Sequence, residues 1–340
     1  MQEDFSTKIK KKAFELGYDL CGIIEANSFK EYSKYLNMRV EKFPSSTHLY
    51  KNLFNLAEPL EKADWGKSII VCIRRYNKYK IPKNLSKFFG KVYLFDGRLP
   101  NSKEYFGNIL FTEYLKEKGM KTYEDGITAR WAAVKAGLGS FGKNNFVYTK
   151  FGSFVWIDTW IVDFKLKYDK ENPSEMDSCP ENCHKCIEAC PTKALCEEYT
   201  MDRGSCIAQL SFFSSELPSK ELRDRMGTWM YGCDVCQNVC PMNKGKWSEE
   251  EDFPGLDDMV SFLSLEQILT MDENTLLNII YPRFSYISKD RIWLWKCNAI
   301  RAMVNSRDNR YYDLIKDACK DDNAKIKAMA ISACKHWIKC

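Results

Sequence analysis

The run Cys179-Pro-Glu-Asn-Cys183-His-Lys-Cys186-Ile-Glu-Ala-Cys190-Pro191 sets four thiols close together and ends on proline. A second run, Cys233-Asp-Val-Cys236-Gln-Asn-Val-Cys240-Pro241, repeats the pattern with three. Thiolates at such spacing suit both zinc and iron–sulfur clusters. A structural zinc site takes four ligands, which would leave too many of these thiols unused. Two 4Fe–4S clusters take four each, and Cys206, outside both runs, supplies the missing one, with Cys196 as its rival.

Each Cys-Pro run resembles half of a bacterial two-cluster ferredoxin, in which the last Cys of each run ligates the other cluster. The resemblance implies that Cys179, Cys183 and Cys186 share one cluster with Cys240, while Cys190, Cys206, Cys233 and Cys236 hold the second. The first run carries one extra residue between its first two Cys, which loop closure tolerates. Cys21, Cys72, Cys196, Cys297, Cys319, Cys334 and Cys340 are scattered and read as small buried hydrophobes.

The rest of the chain bounds the setting. Its 340 residues, 45% hydrophobic and 29% charged, fit two or three packed soluble units. A net charge of +5 is compatible with a nucleic-acid partner without demanding one. No apolar run approaches the roughly 18 residues of a membrane helix, and the first residues carry no export signal, so no membrane partner and a cytoplasmic location are expected. A disulfide scaffold is excluded by the same setting.

Three stretches are expected: residues 1–165 mixing helix and strand, the Cys-rich residues 166–255, and helical residues 256–340. Phe5–Leu16 has helical spacing, and Ser68–Ile73 and Phe154–Val162 have strand composition, with Trp156 and Trp160 as core residues. Thr128–Ala136 is a helix stopped by Gly137-Leu-Gly139, and Glu221–Tyr231 reads as another. Trp293–Val304, Tyr311–Cys319 and Ala324–Trp337 carry apolar stripes divided by short polar turns, as in HEAT-type helices.

The stretch Arg130-Trp-Ala-Ala-Val-Lys-Ala-Gly-Leu-Gly139-Ser-Phe-Gly-Lys143-Asn144 resembles the R-x-x-A-x-x-A-G-L-G-x-x-G-K-N pattern of the epoxyqueuosine reductases. So do Asp202–Ile207, Tyr231–Cys236 and the Cys297–Ala302 ending, so the resemblance spans nearly the whole chain. It implies an α+β protein with a corrinoid-binding α/β domain, a ferredoxin-like double-cluster module and C-terminal HEAT-like helices. The implied cofactors are two 4Fe–4S clusters and cobalamin, and the implied reaction reduces epoxyqueuosine to queuosine in tRNA. A reduced flavodoxin or ferredoxin would feed the clusters.

The resemblance also implies site residues. Arg130, Gly139, Lys143 and Asn144 would contact the corrinoid, the glycines letting backbone approach its edge. The family's proton donor lies seven residues before the matching Arg, which here is Tyr123, followed by Glu124 and Asp125. A leaving oxygen requires an acid, so one of these three is the candidate donor, against the alternative of a plain polar turn. Tyr105-Phe106 stands where the family is expected to carry Tyr-His. Lys8, Lys10, Lys11, Lys12, Lys316, Lys320, Lys325, Lys327, Lys335 and Lys339 either track tRNA phosphates or mark solvated helix faces. Two other functions stay open: a related corrinoid reductase acting on another small molecule such as an organohalide, and a double-cluster electron carrier without corrinoid.

Overall fold

The computed structural model describes residues 4–171 and 179–337, so Lys339 and Cys340 lie outside the described residues. Ile9 and Ala13, one turn apart, bury the inner face of α1 (Phe5–Glu15). The apolar runs of β1 (Leu20–Glu25) and β2 (Ser68–Arg75) form neighbouring strands, with α2 (Lys30–Lys42) between them in sequence. Then come α3 (Lys103–Glu117), β3 (Thr122–Glu124), α4 (Ala129–Lys135) and β4 (Val155–Val162). The sheet has the order β1-β2-β4-β3 and is antiparallel throughout.

Side-chain alternation splits the core into two layers. Ile9, Phe111, Leu115 and Trp160 pack on one face, where Trp160 Nε1 donates to Thr112 Oγ1 at 2.9 Å. Leu36, Ile69, Ala132 and Ile161 fill the other.

β4 pairs with β2 along its whole length but with β3 only from Trp160 to Val162. The cause is local. Asp125 (φ 54°) and Gly126 (φ 74°) are both left-handed, so β3 ends there and the chain turns away. The edge of β4 from Val155 to Ile157 is left without a strand partner among the described residues.

Downstream, the helices are α5 (Ile207–Phe213), α6 (Lys220–Arg225), α7 (Leu265–Thr270), α8 (Trp293–Ser306), α9 (Tyr312–Ala318) and α10 (Ala324–Trp337). The helix expected over Glu221–Tyr231 stops at Arg225. Gly227 takes φ 60°, its carbonyl accepts from Arg301 and Asn305, and the Trp229 carbonyl also accepts from Arg301. Those carbonyls serve side chains of α8 instead of a helical ladder.

α8 is buried on nearly every side and ends at left-handed Arg307. Its Trp295 stacks on Tyr231, ring centroids 4.8 Å apart at 8°. Phe89 and Phe95 join the same apolar cluster, which therefore crosses the expected boundaries at 165 and 256. Of the scattered thiols, Cys196 is exposed and Cys319 and Cys334 are half-buried, contrary to the expectation of burial.

Candidate active site and cluster pockets

The Cys residues gather in two places. Cys179, Cys183, Cys186 and Cys240 line one small pocket beside Lys143 and Tyr148. Cys190, Cys206, Cys233 and Cys236 line one side of a much larger cavity of about 1020 Å³. Cys196 borders neither; it lies on a short outer strand, Leu195–Glu197.

The packing that builds the second set comes from three parts of the chain. The Tyr231–Trp295 stack anchors the chain just before Cys233. Asp234, 2% exposed, accepts the Lys91 backbone N–H at 2.7 Å with Lys91 Nζ at 3.7 Å, which pins the Cys233–Cys236 segment to the helical turn at Lys91–Leu94. Asn144 Nδ2 donates to the Cys236 carbonyl at 3.2 Å and to Tyr148 Oη at 2.8 Å.

Both sets fit a cationic cluster by the chemistry of their donors. Burial pushes the thiols of Cys206, Cys233 and Cys236 up, and that of Cys186 up to about 11. Thiols held neutral by burial become thiolates when a metal centre supplies the compensating charge.

The same cavity is also walled by Val155–Asp158 of β4, on the edge that β3 leaves uncovered, and by the turn that ends β3. Asp125 lies on that wall. Its backbone N–H donates to the Thr159 carbonyl at 2.9 Å, and its Oδ1 accepts from the Thr159 N–H at 3.4 Å, so the side chain stands where β3 would have continued. Desolvation by the cavity walls, then the neighbouring Asp158 carboxylate, raises the Asp125 carboxyl from its ordinary value, although the residue stays exposed at the cavity mouth.

Tyr123 and Glu124 do not line this cavity. Tyr123 packs on the apolar cluster under α4, its ring against Gly126. The left-handed Asp-Gly turn explains the difference: alternation alone would keep Asp125 on the face of Tyr123, and the residue that turns into the cavity is the one just past the strand's end.

The other expected contacts divide. Arg130 lines the cavity and donates from Nη1 to the Asn145 carbonyl at 2.8 Å; its surroundings lower its pKa through desolvation. Asn144 borders both pockets. Lys143 faces the small pocket, 3% exposed, with Nζ 2.6 Å from Glu198 Oε1 and donating to the Glu181 carbonyl, so it does not reach the large cavity. Gly139 does not line it either. A Cβ there would meet Val147 Cγ1 at 2.5 Å and the Tyr148 carbonyl at 2.7 Å, so this glycine serves close packing of backbone on backbone.

Trp156, expected in the core, is half-buried and lines the cavity, as does Tyr105, whereas Phe106 is 55% exposed. Asp158, not among the residues expected from the sequence, also lines the cavity. A carboxylate inside the apolar run Val-Trp-Ile-Asp-Thr-Trp-Ile-Val was the available signal. Of the lysines, Lys10 pairs with Asp169, Lys12 with Glu15, Lys320 with Asp317 and Lys325 with Glu216, as on solvated helix faces.

The cavity also has the character of a cofactor site. Its volume is at the upper end of the range of about 300–1,000 Å³ for small-molecule pockets. Glu104 Oε2, Asn145 Nδ2 and Arg203 Nε, all from lining residues, are buried without a hydrogen-bond partner among the described residues. Buried polar atoms are costly unless paired, and a broad macrocycle rimmed by amides, such as cobalamin, would offer them partners.

Residues 178–243 match the family model of the 4Fe-4S double cluster binding domain. An epoxyqueuosine reductase of Cyclobacterium marinum is 31% identical over 261 residues, which are 72% of this chain and 81% of the relative. That of Leadbetterella byssophila is 32% identical over 282 residues, 78% of this chain and 89% of the relative. In fold, the chain is similar to the solved epoxyqueuosine reductase of Streptococcus thermophilus, with a TM-score of 0.81, 22% identity and coverage of 99% and 91%. It is also similar to an epoxyqueuosine reductase solved with an epoxyqueuosine-modified tRNA stem loop, with a TM-score of 0.79, 24% identity and coverage of 96% and 88%. The chain carries a double 4Fe–4S cluster domain and is an oxidoreductase that belongs to the epoxyqueuosine reductase family.

Proposed function

We propose that this chain reduces the epoxide of epoxyqueuosine in tRNA to the alkene of queuosine, with cobalamin bound in the large cavity between Asp125 and the second thiol set. The observation that carries the reading is that juxtaposition: four cluster-type thiols and an acid of raised pKa share one cavity. Cobalamin, when bound, supplies a reducing cobalt centre for the carbon–oxygen bond. Cys190, Cys206, Cys233 and Cys236 would hold the cluster that faces it, and Cys179, Cys183, Cys186 and Cys240 the outer one.

The chain's own groups then have separate tasks. Asp125 keeps a proton on its carboxyl oxygen at a pH where an ordinary carboxylate has lost it, and donates it to the departing oxygen. Arg130, Asn145 and Arg203 bind and orient polar groups of the cofactor rim. The apolar wall of Val155, Trp156 and Ile157 excludes water from the reacting bond. A one-electron donor of flavodoxin or ferredoxin type would load the outer cluster.

The test is anaerobic titration of the cluster-loaded protein with cobalamin. Stoichiometric binding, with a cob(II)alamin signal that responds to cluster reduction, is expected. A protein with both clusters that leaves cobalamin free in solution would overturn the reading. Among the described residues no helix is long and apolar enough to cross a membrane.

A further inference from the structure

Asp158 lies in the middle of β4, opposite Cys72 of β2, and faces the same cavity as Asp125. Its place is built, not incidental. Tyr18 Oη donates to Asp158 Oδ2 at 2.8 Å. The Arg74 guanidinium, 4% exposed, lies 3.6 Å over the Tyr18 ring and attracts the carboxylate, and Asn108 of α3 also hydrogen-bonds it. Asp125 is hydrogen-bonded through its backbone to Thr159, the residue that follows Asp158 on β4, and both aspartates line the one cavity.

The groups facing Asp158 are therefore Tyr18 after α1, Cys72 and Arg74 on β2, Asn108 on α3, Asp125 at the turn, and Arg98 from the segment before α3. Asp125 meets Asp158, Glu124 and Arg98. Burial raises the Asp158 carboxyl in spite of Arg74, and the charge of Asp158 raises Asp125 in turn.

The chemistry asks for more than one acid. The second acid serves the epoxide reduction proposed above. Both C–O bonds of the epoxide break, a C=C bond forms between its carbons, and the oxygen leaves as water. The change consumes two electrons, delivered through the clusters from the external one-electron donor, and two protons. Asp125 carries one proton. In a cavity closed by substrate, the second must also be inside.

We infer that Asp158 holds the second proton of each turnover and reloads Asp125 with it, the two carboxyls acting as one coupled acid. Asp158 is not placed at the reacting atoms; it acts through Asp125 and is a positioning residue. The nearby Tyr18 phenol, whose pKa burial raises, stays a donor to Asp158 and fixes which oxygen faces the cavity.

Two measurements test this. The first uses the cluster-loaded protein without substrate: infrared titration of the carboxyl C=O bands in the parent, D125N and D158N. Each substitution is expected to lower the pKa of the carboxyl that remains. A D158N protein whose Asp125 band titrates as in the parent would overturn the inference, whatever the substrate proves to be.

The second is the single-turnover rate on an epoxyqueuosine-modified stem loop against pH. If both protons must be preloaded, the logarithm of the parent rate falls on the alkaline side with a slope near −2, and that of D158N with a slope near −1. A role in folding alone would lower the rate and leave the slope unchanged. A parent slope near −1 would show that solvent supplies the second proton and refute Asp158 as its source. A parent with no turnover at all would count against the proposed function, and the infrared coupling would then decide the inference alone.

Discussion

Asp125→Asn separates the acid from the turn it sits in. Asparagine tolerates the left-handed φ of 54° as well as aspartate does, and its amide oxygen can accept the Thr159 N–H. The fold, the cluster content and the melting temperature should therefore stay at parental values. What is lost is the proton. A positioned general acid contributes about 10²–10⁴ in rate, or about 3–5 kcal/mol of barrier, and the single-turnover rate should fall by that factor.

Asp125→Ala is the control for the turn. It should lose the same rate and, in addition, about 1–2 kcal/mol of stability, because alanine accepts neither the hydrogen bond nor the left-handed backbone. The assay is anaerobic single-turnover conversion of the stem loop, with iron content and thermal melting measured on the same samples. D125N turning over as fast as the parent would refute the assignment of the acid. Tyr123→Phe sharpens the comparison: its ring packs under α4 and its hydroxyl lies outside the cavity, so this variant should keep near-parental turnover.

Three further outcomes are expected. Cys206→Ala should lose about half the bound iron, while Cys196→Ala, on the exposed outer strand, should keep it all; iron and sulfide analysis decides. Trp295→Ala removes the ring stacked on Tyr231 and should cost about 3–5 kcal/mol, measured by denaturant unfolding, with faster loss of the cavity-facing cluster. Asp158→Asn should change the pH dependence of stability. The Asp158 pKa is higher in the folded chain than in the unfolded one, so the folded state binds the proton more tightly and stability declines as pH rises above about 4. Relative to the parent, D158N should melt higher at pH 8, with the difference closing below about pH 4.

What could be read from the residues, and what could not, follows from range. The thiol runs carry their own spacing, and the seven Cys named from it, with Cys206 added to complete two sets of four ligands, line two pockets of four. The strands at Ser68 and Phe154 and the last three helices also follow from local periodicity. The acid is a different matter. Counting back from Arg130 reaches Tyr123, but which of three neighbouring residues enters the cavity depends on where β3 leaves β4, and that is set by the tertiary pairing of Thr122–Glu124. The Asp-Gly pair was the local sign of the break. Lys143 and Gly139 are expected at the cofactor only from the motif they share with Arg130 and Asn144. Their true neighbours, Glu198 and Val147, are fixed by packing that no local pattern encodes. The joining of Phe89 and Phe95 to Trp295 is equally non-local.

The most direct measurement of the account is nucleoside mass analysis of an epoxyqueuosine-modified tRNA stem loop after incubation with the cluster-loaded protein, cobalamin and a low-potential reductant, without oxygen. The account requires conversion to queuosine, a loss of one oxygen atom, that depends on added cobalamin. Epoxyqueuosine recovered unchanged from protein holding both clusters and cobalamin would contradict it.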